Sequence, residues 1–165
     1  MSIILGLCGE NCSGKGTVAD YLVKRGFYYF SLSDVIREEL AKEGKDATRD
    51  NMVKKGNDLR ETNGANIFAS KTIEKLEKDR NYIIDSIRNP FEVEELKKMT
   101  NFSLIYVSAT PEIRFARMKN RARVGDAKDL KEFLRLEELE RKNANSKHQN
   151  IEQTVKLATL KITNE

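Results

Sequence analysis

The sequence predicts an α/β fold in which helices cover both faces of a five-stranded parallel sheet. Short apolar runs alternate along the chain with longer, charged stretches that have helical periodicity. Both prolines, Pro90 and Pro111, follow a residue of N-cap type just after an apolar run, as expected where a strand leads into a helix. A length of 165 residues with 39% hydrophobic residues suits a single domain, which we place at 1–165.

Five runs are expected to form the strands, because each is short, apolar and bounded by polar or turn-forming residues. They are Ile3–Cys8, Phe27–Ser31, Tyr82–Asp85, Phe102–Ser108 and Leu160–Thr163. Asn89 and Thr110 are the N-cap residues expected before the two prolines, and Ser33 is expected to cap the helix after the second strand. Ligands of open parallel sheets bind beyond the carboxyl ends of the strands, so functional residues are expected just after each strand.

Composition and charge exclude several classes of protein. Thirty Lys and Arg residues against 26 Asp and Glu leave a net charge of +4, which suits an anionic ligand but lacks the concentrated basic face of a nucleic-acid binder. The first apolar run is too short for a signal peptide and no segment reaches the ~20 apolar residues that cross a bilayer, so we expect a cytoplasmic protein without a membrane partner. Cys8 and Cys12, with His148 as the only histidine, exclude zinc and disulfide frameworks, and Cys8 is expected to be buried.

A glycine-rich turn follows the first strand and leads into a helical pattern. Its residues are Gly9, Glu10, Asn11, Cys12, Ser13, Gly14, Lys15, Gly16 and Thr17. Successive backbone N–H groups and a helix N-terminus converge on an anion in such a turn, and Lys15 is placed to reach the β and γ phosphates of a nucleotide. The alternative is a flexible Gly/Ser turn whose lysine is merely solvated.

The ending Gly14-Lys15-Gly16-Thr17 resembles that of the nucleoside monophosphate kinases, a group with adenylate and cytidylate kinases as members and dephospho-CoA kinase as a relative. The resemblance implies a three-layer α/β/α P-loop kinase fold with ATP and Mg²⁺ as cofactors. Adenylate kinases usually carry Pro and Gly where this chain has Asn11 and Cys12. The ATP-binding residues implied are Gly9, Asn11, Cys12, Ser13, Gly14, Lys15, Gly16, Thr17, Arg117 and Asn164.

The segment after the second strand, Ser31–Arg37, is similar to the S-T-G-D-x-L-R segment of adenylate kinases. The resemblance implies that Asp34 and Arg37 bind the acceptor, with Arg37 on its phosphate. Leu32 stands where those enzymes have the threonine that touches the acceptor base, so the acceptor need not be AMP. The alternative for Arg37 is a solvated arginine paired with Glu38 or Glu43.

A polar stretch predicts a small helical insertion at about 33–80, between the second and third strands. Monophosphate kinases keep their acceptor-binding subdomain at this point. Arg49 and Arg60 are candidate contacts with the phosphate or base of the acceptor, and surface charge is the alternative for both.

Asp85 leaves the end of an apolar strand beside the phosphate loop, which is costly unless it holds Mg²⁺ or takes a proton from the attacking group. The segment Asp85–Arg88 resembles the D-G-x-P-R signature of the same kinases, with Ser86 in place of glycine. The resemblance implies that Arg88 clamps the acceptor phosphate. The alternative for Asp85 is a helix cap.

A dense group of arginines predicts a short lid at about 117–128. Arg114, Arg117 and Arg121 share one helix face by their spacing, so all three are expected to point at one site. By resemblance to the lids of these kinases, Arg121 and Arg123 would spread the charge of the transferred phosphoryl group. The alternative is pairing of these arginines with Glu112 and Asp126.

The function expected from these features is ATP-dependent transfer of a phosphoryl group to a small nucleotide, with a (deoxy)nucleoside monophosphate as the first choice. The alternatives are a dephospho-CoA kinase-like activity and a nucleotide-binding sensor with little turnover. The middle of the chain also resembles kinase-like modules of deoxycytidylate deaminase-like proteins, which implies fusion or association with such a domain. A GTPase is disfavoured because the chain has no N-K-x-D motif. The expected catalytic residues are Lys15, Asp85, Arg88, Arg121 and Arg123, the substrate-binding residues are Asp34, Arg37, Arg60 and Arg88, and the metal ligands are Thr17 and Asp85.

Overall fold

A computed structural model describes residues 2–122, 126–141 and 145–165. The described chain forms a five-stranded, all-parallel sheet with the strand order β2-β3-β1-β4-β5. The strands are β1 (Ile4–Cys8), β2 (Tyr28–Ser31), β3 (Tyr82–Ile87), β4 (Phe102–Ser108) and β5 (Leu160–Thr163). The predicted fold class and all five predicted strands are confirmed.

Eight helices are described between and beside these strands. They are α1 (Lys15–Val23), α2 (Leu32–Lys42), α3 (Arg49–Asn63), α4 (Ile67–Ile73), α5 (Pro90–Leu96), α6 (Pro111–Arg121), α7 (Leu130–Arg141) and α8 (Ile151–Lys156). Asn89 and Thr110 precede α5 and α6 with a proline as the first helical residue, as predicted. None of the described helices is both long and apolar enough to cross a membrane.

The sheet is covered on both faces, which makes the predicted three layers. On one face, Ile4 and Leu104 of the strands pack with Val93 and Leu96 of α5, and with residues of α2 and α4. On the other face, a second cluster joins Leu7, Ile83 and Val107 of the strands to Ala19 of α1. Alternate residues of β1 and β4 thus enter opposite clusters, as the twofold periodicity of a strand buried on both faces requires.

The third strand is two residues longer than predicted. Pairing of β1 with β3 shifts register between Gly6 opposite Ile84 and Cys8 opposite Ile87, which marks a bulge. Ser86 lies in this bulge with a φ of 66°, a left-handed conformation that glycine adopts more readily. The predicted strand ended at Asp85, whereas the bulge lets pairing with β1 resume at Ile87.

The predicted cap of α2 is wrong by two residues. Ser31, the last residue of β2, caps this helix, because its Oγ accepts a hydrogen bond from the Ser33 N–H at 3.3 Å. The Asp34 carboxylate accepts in return from the Ser31 N–H at 3.3 Å, which completes a capping box. The strand therefore runs directly into α2, and Ser33 lies inside the helix.

The helices α2, α3 and α4 form the insertion between β2 and β3. Gly56 brings α3 close to α2, since a Cβ there would lie 3.0 Å from Cδ1 of Ile36. The insertion rises beside the carboxyl ends of the strands and forms one wall of the cavity there.

Candidate functional site

A cavity of about 980 Å³ lies at the carboxyl ends of the strands. The glycine-rich turn, the insertion, the end of β3 and the last turns of α6 form its walls. Of the predicted site residues, these line it: Asn11, Cys12, Ser13, Gly14, Lys15, Gly16, Thr17, Asp34, Arg37, Arg49, Arg60, Asp85, Arg88, Arg117 and Arg121. Gly9, at the start of the turn, and Asn164, beside it, lie outside the cavity wall, and Arg123 lies outside the described residues.

The glycine-rich turn is shaped by close backbone contacts. A Cβ on Gly9, where φ is 137°, would lie 2.1 Å from the Val107 carbonyl oxygen, and one on Gly14, where φ is 101°, would lie 1.9 Å from Nδ2 of Asn164. Cys12 also has a positive φ, 59°, at a position where adenylate kinases usually have glycine. The turn thus keeps its shape with a cysteine in the left-handed region, which costs some strain.

Lys15 lies folded back against its own turn. Its Nζ donates to the carbonyl oxygens of Gly9 at 2.9 Å and Glu10 at 2.8 Å. Burial lowers the pKa of Lys15, and the nearby carboxylate of Asp85 opposes that effect. The ammonium group is thus held at the floor of the cavity by neutral acceptors that an anion can replace.

Asp85 is the last residue of β3 that pairs with β2, where it lies opposite Ser31. Its Oδ1 accepts from the Ser86 N–H at 2.6 Å, and its Oδ2 accepts from the Tyr29 hydroxyl at 3.1 Å. Burial, followed by the charge of Asp85, raises the pKa of Tyr29 to about 12. Asp85 does not cap a helix, because α5 begins later and is capped by Asn89.

Tyr29 is a cavity residue that sequence reasoning missed. It lies on β2 two residues before Ser31, and β2 pairs with β3 so that Ser31 faces Asp85. The twofold alternation of β2 puts Tyr29 and Ser31 on the same side of the sheet. Had the pairing of Ser31 with Asp85 been known, this alternation would have identified Tyr29 as a neighbour of Asp85.

The residues proposed as metal ligands fit a magnesium ion. Thr17 and Asp85 both line the cavity and offer a hydroxyl and a carboxylate oxygen. Within the described ranges, the structure contains no group of three His, Cys, Asp or Glu residues that would hold a metal without a ligand's help. Mg²⁺ is commonly held in this way, by one or two protein oxygens together with nucleotide phosphates and water.

Two of the predicted acceptor-binding arginines, Arg37 and Arg88, line the cavity. Arg37 pairs with Asp34 of the same helix at 2.6 Å, and both side chains are about half exposed. The partners suggested in the alternative, Glu38 and Glu43, pair with lysines. Arg88 donates from Nη1 to Oε1 of Gln149 at 3.2 Å, so the segment before α8 supports it.

Arg60 is not a surface charge. It is 3% exposed, its Nη2 donates to Oε1 of Glu92 at 2.7 Å, and its guanidinium lies 4.7 Å from the centre of the Phe68 ring. The second oxygen of Glu92 accepts from the N–H groups of Arg88 and Asn89 at 2.8 and 3.1 Å. Glu92, which sequence reasoning missed, therefore joins the insertion to the turn that carries Arg88.

The three arginines of α6 do not converge, which corrects the prediction made from their spacing. Arg114 points away from the cavity, where it binds Glu137 of α7 and the Ala109 carbonyl oxygen. The helix α7 packs on the first turns of α6 and supplies this partner, which helical spacing alone does not show. Arg121 pairs with Asp126 at 2.9 Å and lines the cavity.

Arg117 connects α6 to the glycine-rich turn and to Asn164, which follows β5. Its guanidinium donates to the Ser13 carbonyl oxygen at 3.4 Å and to the Asn164 carbonyl oxygen at 3.0 Å. The Asn164 amide also donates to the Ser13 carbonyl oxygen, at 3.2 Å. These contacts hold both residues against the glycine-rich turn.

Comparisons with known proteins agree with this geometry. Residues 5–142 match the family described as an AAA domain. A UPF0200 protein from Sulfurisphaera tokodaii is 35% identical over 123 residues, covering 74% of this chain and 68% of that protein. Another, from Pyrococcus furiosus, is 34% identical over 170 residues, covering 99% of this chain and 88% of that protein.

Two solved structures share the fold at low sequence identity. One is TT1252 from Thermus thermophilus, 22% identical with a TM-score of 0.61, covering 99% of this chain and 89% of that chain. The other is a shikimate kinase from Acinetobacter baumannii in complex with shikimate, 13% identical with a TM-score of 0.58, covering 100% of this chain and 85% of that chain. The chain therefore belongs to the UPF0200 family and has the nucleotide-binding fold of the P-loop kinases.

Proposed function

We propose that this protein transfers the γ-phosphoryl group of ATP to a nucleoside monophosphate, giving ADP and a nucleoside diphosphate. The observation that carries the proposal is the lining of the large cavity, which includes both the glycine-rich turn and the arginines Arg37, Arg60 and Arg88. Asp85 lines the same cavity and lies near enough to Lys15 to affect the pKa of that lysine. A phosphotransferase needs such an arrangement because donor and acceptor must meet in line.

On the donor side, the loop amides and the N-terminus of α1 would bind the triphosphate of ATP. Lys15 would exchange its contacts with the Gly9 and Glu10 carbonyl oxygens for the phosphates. When bound beside Thr17 and Asp85, Mg²⁺ would neutralise charge on the phosphate oxygens. Arg117 and Asn164, which contact each other and the turn, would flank the rest of the nucleotide.

On the acceptor side, Arg37 and Arg88 would hold the acceptor phosphate, whose oxygen forms the new bond to phosphorus as the bond to the β-phosphate oxygen breaks. The ion pair of Arg37 with Asp34 is about half exposed, so Arg37 can exchange it for an ion pair with the dianionic acceptor phosphate. Arg121 reaches the cavity from α6 and would balance charge on the transferred group.

A phosphoryl-transfer screen tests the proposal. The purified chain is incubated with ATP, Mg²⁺ and each of AMP, CMP, UMP, dCMP, GMP and dephospho-CoA, and the products are separated by chromatography. We expect a diphosphate to form from at least one monophosphate. Phosphorylation of dephospho-CoA alone would replace the acceptor class, and tight nucleotide binding without transfer to any acceptor would favour a sensor.

Two lysine variants show that transfer comes from this site. Lys15→Ala should lower turnover by at least about a hundredfold, because the loop lysine is the main charge on the donor phosphates. Lys24→Ala is the matched control, since Lys24 is exposed at the far end of the same helix. Retention of most activity by Lys15→Ala would contradict the mechanism.

A further inference from the structure

Arg60 has hydrogen-bonding capacity that the described protein does not use. Two of its three guanidinium nitrogens, Nε and Nη1, are buried without a hydrogen-bond partner among the residues that the structure describes. The residue nevertheless lines the cavity. Leaving buried donors unpaired is costly, so a site that keeps them is suited to a ligand that supplies acceptors.

The surroundings of Arg60 are apolar. Phe68 lies under the guanidinium, and Ile36 packs against the neighbouring Gly56. A Cβ on Gly56 would lie 3.6 Å from Nη1 of Arg60, in van der Waals contact, so Gly56 lies directly beside that nitrogen and offers it no polar side-chain partner. Ile36, Met52 and Phe68 complete the apolar part of this end of the cavity.

The charge of Arg60 is already balanced. Its partner Glu92 lies 2.7 Å away and is fully buried, so the pair offers donors without net charge. Both oxygens of Glu92 are engaged, by Arg60 and by the N–H groups of Arg88 and Asn89, so the carboxylate is not available to a ligand's amino group. The recess therefore suits a neutral group that accepts hydrogen bonds rather than a second phosphate.

We propose that Arg60 selects acceptors whose base carries a ring carbonyl, such as guanine, hypoxanthine or a pyrimidine, over adenine. An arginine only donates hydrogen bonds, and a carbonyl oxygen only accepts them. Adenine places an amino donor where hypoxanthine and guanine have O6, so two donors would face each other. The inference rests on the proposed function, since it names the class of monophosphate that enters the same site.

IMP and AMP form a matched pair that tests the inference with the unaltered protein, because they differ at the 6-position and its adjoining ring nitrogen. We expect kcat/KM for IMP to exceed that for AMP by at least about tenfold, with GMP on the side of IMP. Equal values, or a preference for AMP, would overturn the inference while leaving the phosphotransferase in place.

A double variant shows whether Arg60 is the source of the preference. R60M/E92Q removes both charges together, and the amide that replaces the Glu92 carboxylate keeps an oxygen for the N–H groups of Arg88 and Asn89, so the fold retains these contacts. The ratio of kcat/KM for IMP to that for AMP should fall to within about threefold in this variant. Lys55→Met, on the same helix but outside the cavity wall, is the control and should keep the preference. Survival of the preference in R60M/E92Q would overturn the assignment.

Binding measurements separate this inference from the proposed function. With the donor site filled by a non-hydrolysable ATP analogue, calorimetry should show IMP binding at least about tenfold tighter than AMP. If no acceptor is phosphorylated but this ratio holds, the proposed function fails and the recognition by Arg60 stands. Equal affinities, or no binding of either nucleotide, would overturn the inference.

Discussion

The two ends of the cavity are built in different ways. At the donor end, consecutive residues make the site, and the close contacts of Gly9 and Gly14 set its backbone. At the acceptor end, side chains far apart in sequence make it: Arg60 and Glu92 are 32 residues apart, and Arg88 and Gln149 are 61 apart. The donor end depends on backbone shape and the acceptor end on pairing between elements.

This difference separates the general task of holding a triphosphate from the particular task of choosing an acceptor. Phosphates are bound by N–H groups that nearly every residue has, so the turn needs mainly glycines and one lysine. An acceptor is chosen by side chains, and these must be held by partners on other elements. Variants at the two ends should therefore fail in different ways.

The largest effect is expected at the acceptor end, for Glu92→Ala. This change leaves the buried Arg60 charge unpaired and removes the acceptor for the N–H groups of Arg88 and Asn89. The free energy of unfolding, measured by urea denaturation, should fall by about 3 to 5 kcal/mol. Glu94→Ala is the control on the same helix, where an exposed pair with Lys97 should contribute less than about 1 kcal/mol. Equal losses for the two variants would mean that the buried pair does not hold the insertion.

The second largest effect on the free energy of unfolding is expected for Gly9→Ala, at the end proposed to bind the donor. The added methyl group would meet the Val107 carbonyl oxygen, and the backbone conformation disfavours alanine. We expect a loss of about 2 to 4 kcal/mol in the free energy of unfolding, with loss of ATP binding. Gly16→Ala is the matched control for stability, because a Cβ there meets no atom of the described chain within 4 Å. An unchanged Gly9→Ala protein would show that the loop tolerates another shape.

The contrast also explains which parts of the site could be predicted from the sequence. The strands and the glycine-rich turn depend on local patterns, so the bounds of β4 and β5 and the place of the turn between β1 and α1 were predictable. Glu92 was not, because nothing near it in sequence shows that Arg60 will come to lie beside it. The prediction for Arg114 failed for the same reason. Its partner Glu137 lies on α7, and the spacing of residues within α6 does not show how α7 packs against it.

A smaller effect is expected for Tyr29→Phe, which removes only the hydroxyl that donates to Asp85. The free energy of unfolding should fall by about 1 kcal/mol, and kcat should fall more than KM rises, because Asp85 would be less firmly oriented. Tyr28→Phe is the control, since it removes a hydroxyl from the adjacent, exposed residue of the same strand. A change confined to stability would limit Tyr29 to a structural role.

The last effect is expected on the pH dependence of stability, where the Cys8 thiol and the Tyr106 hydroxyl should act in different pH ranges. Burial raises the pKa of Cys8 from 9.0 to about 12, and burial together with Glu10 raises that of Tyr106 from 10.0 to about 12. Since the folded state holds these protons more tightly than the unfolded state, stability is lost as the pH rises above each unfolded pKa. Between pH 9 and 10, ionisation of the Cys8 thiol in the unfolded state lowers the free energy of unfolding before Tyr106 contributes. The slope of that decline approaches about 1.4 kcal/mol per pH unit.

Cys8→Ala should therefore flatten the curve of unfolding free energy against pH between about 9 and 10, whatever its effect on stability at neutral pH. Tyr106→Phe should leave that interval unchanged and reduce the decline only above about pH 10. Urea denaturation at half-unit steps of pH gives both slopes. If the free energy of unfolding of Cys8→Ala still declines near pH 9, ionisation of the Cys8 thiol is not the cause of that decline. The thiol would then be more accessible to water in the folded state than its raised pKa implies.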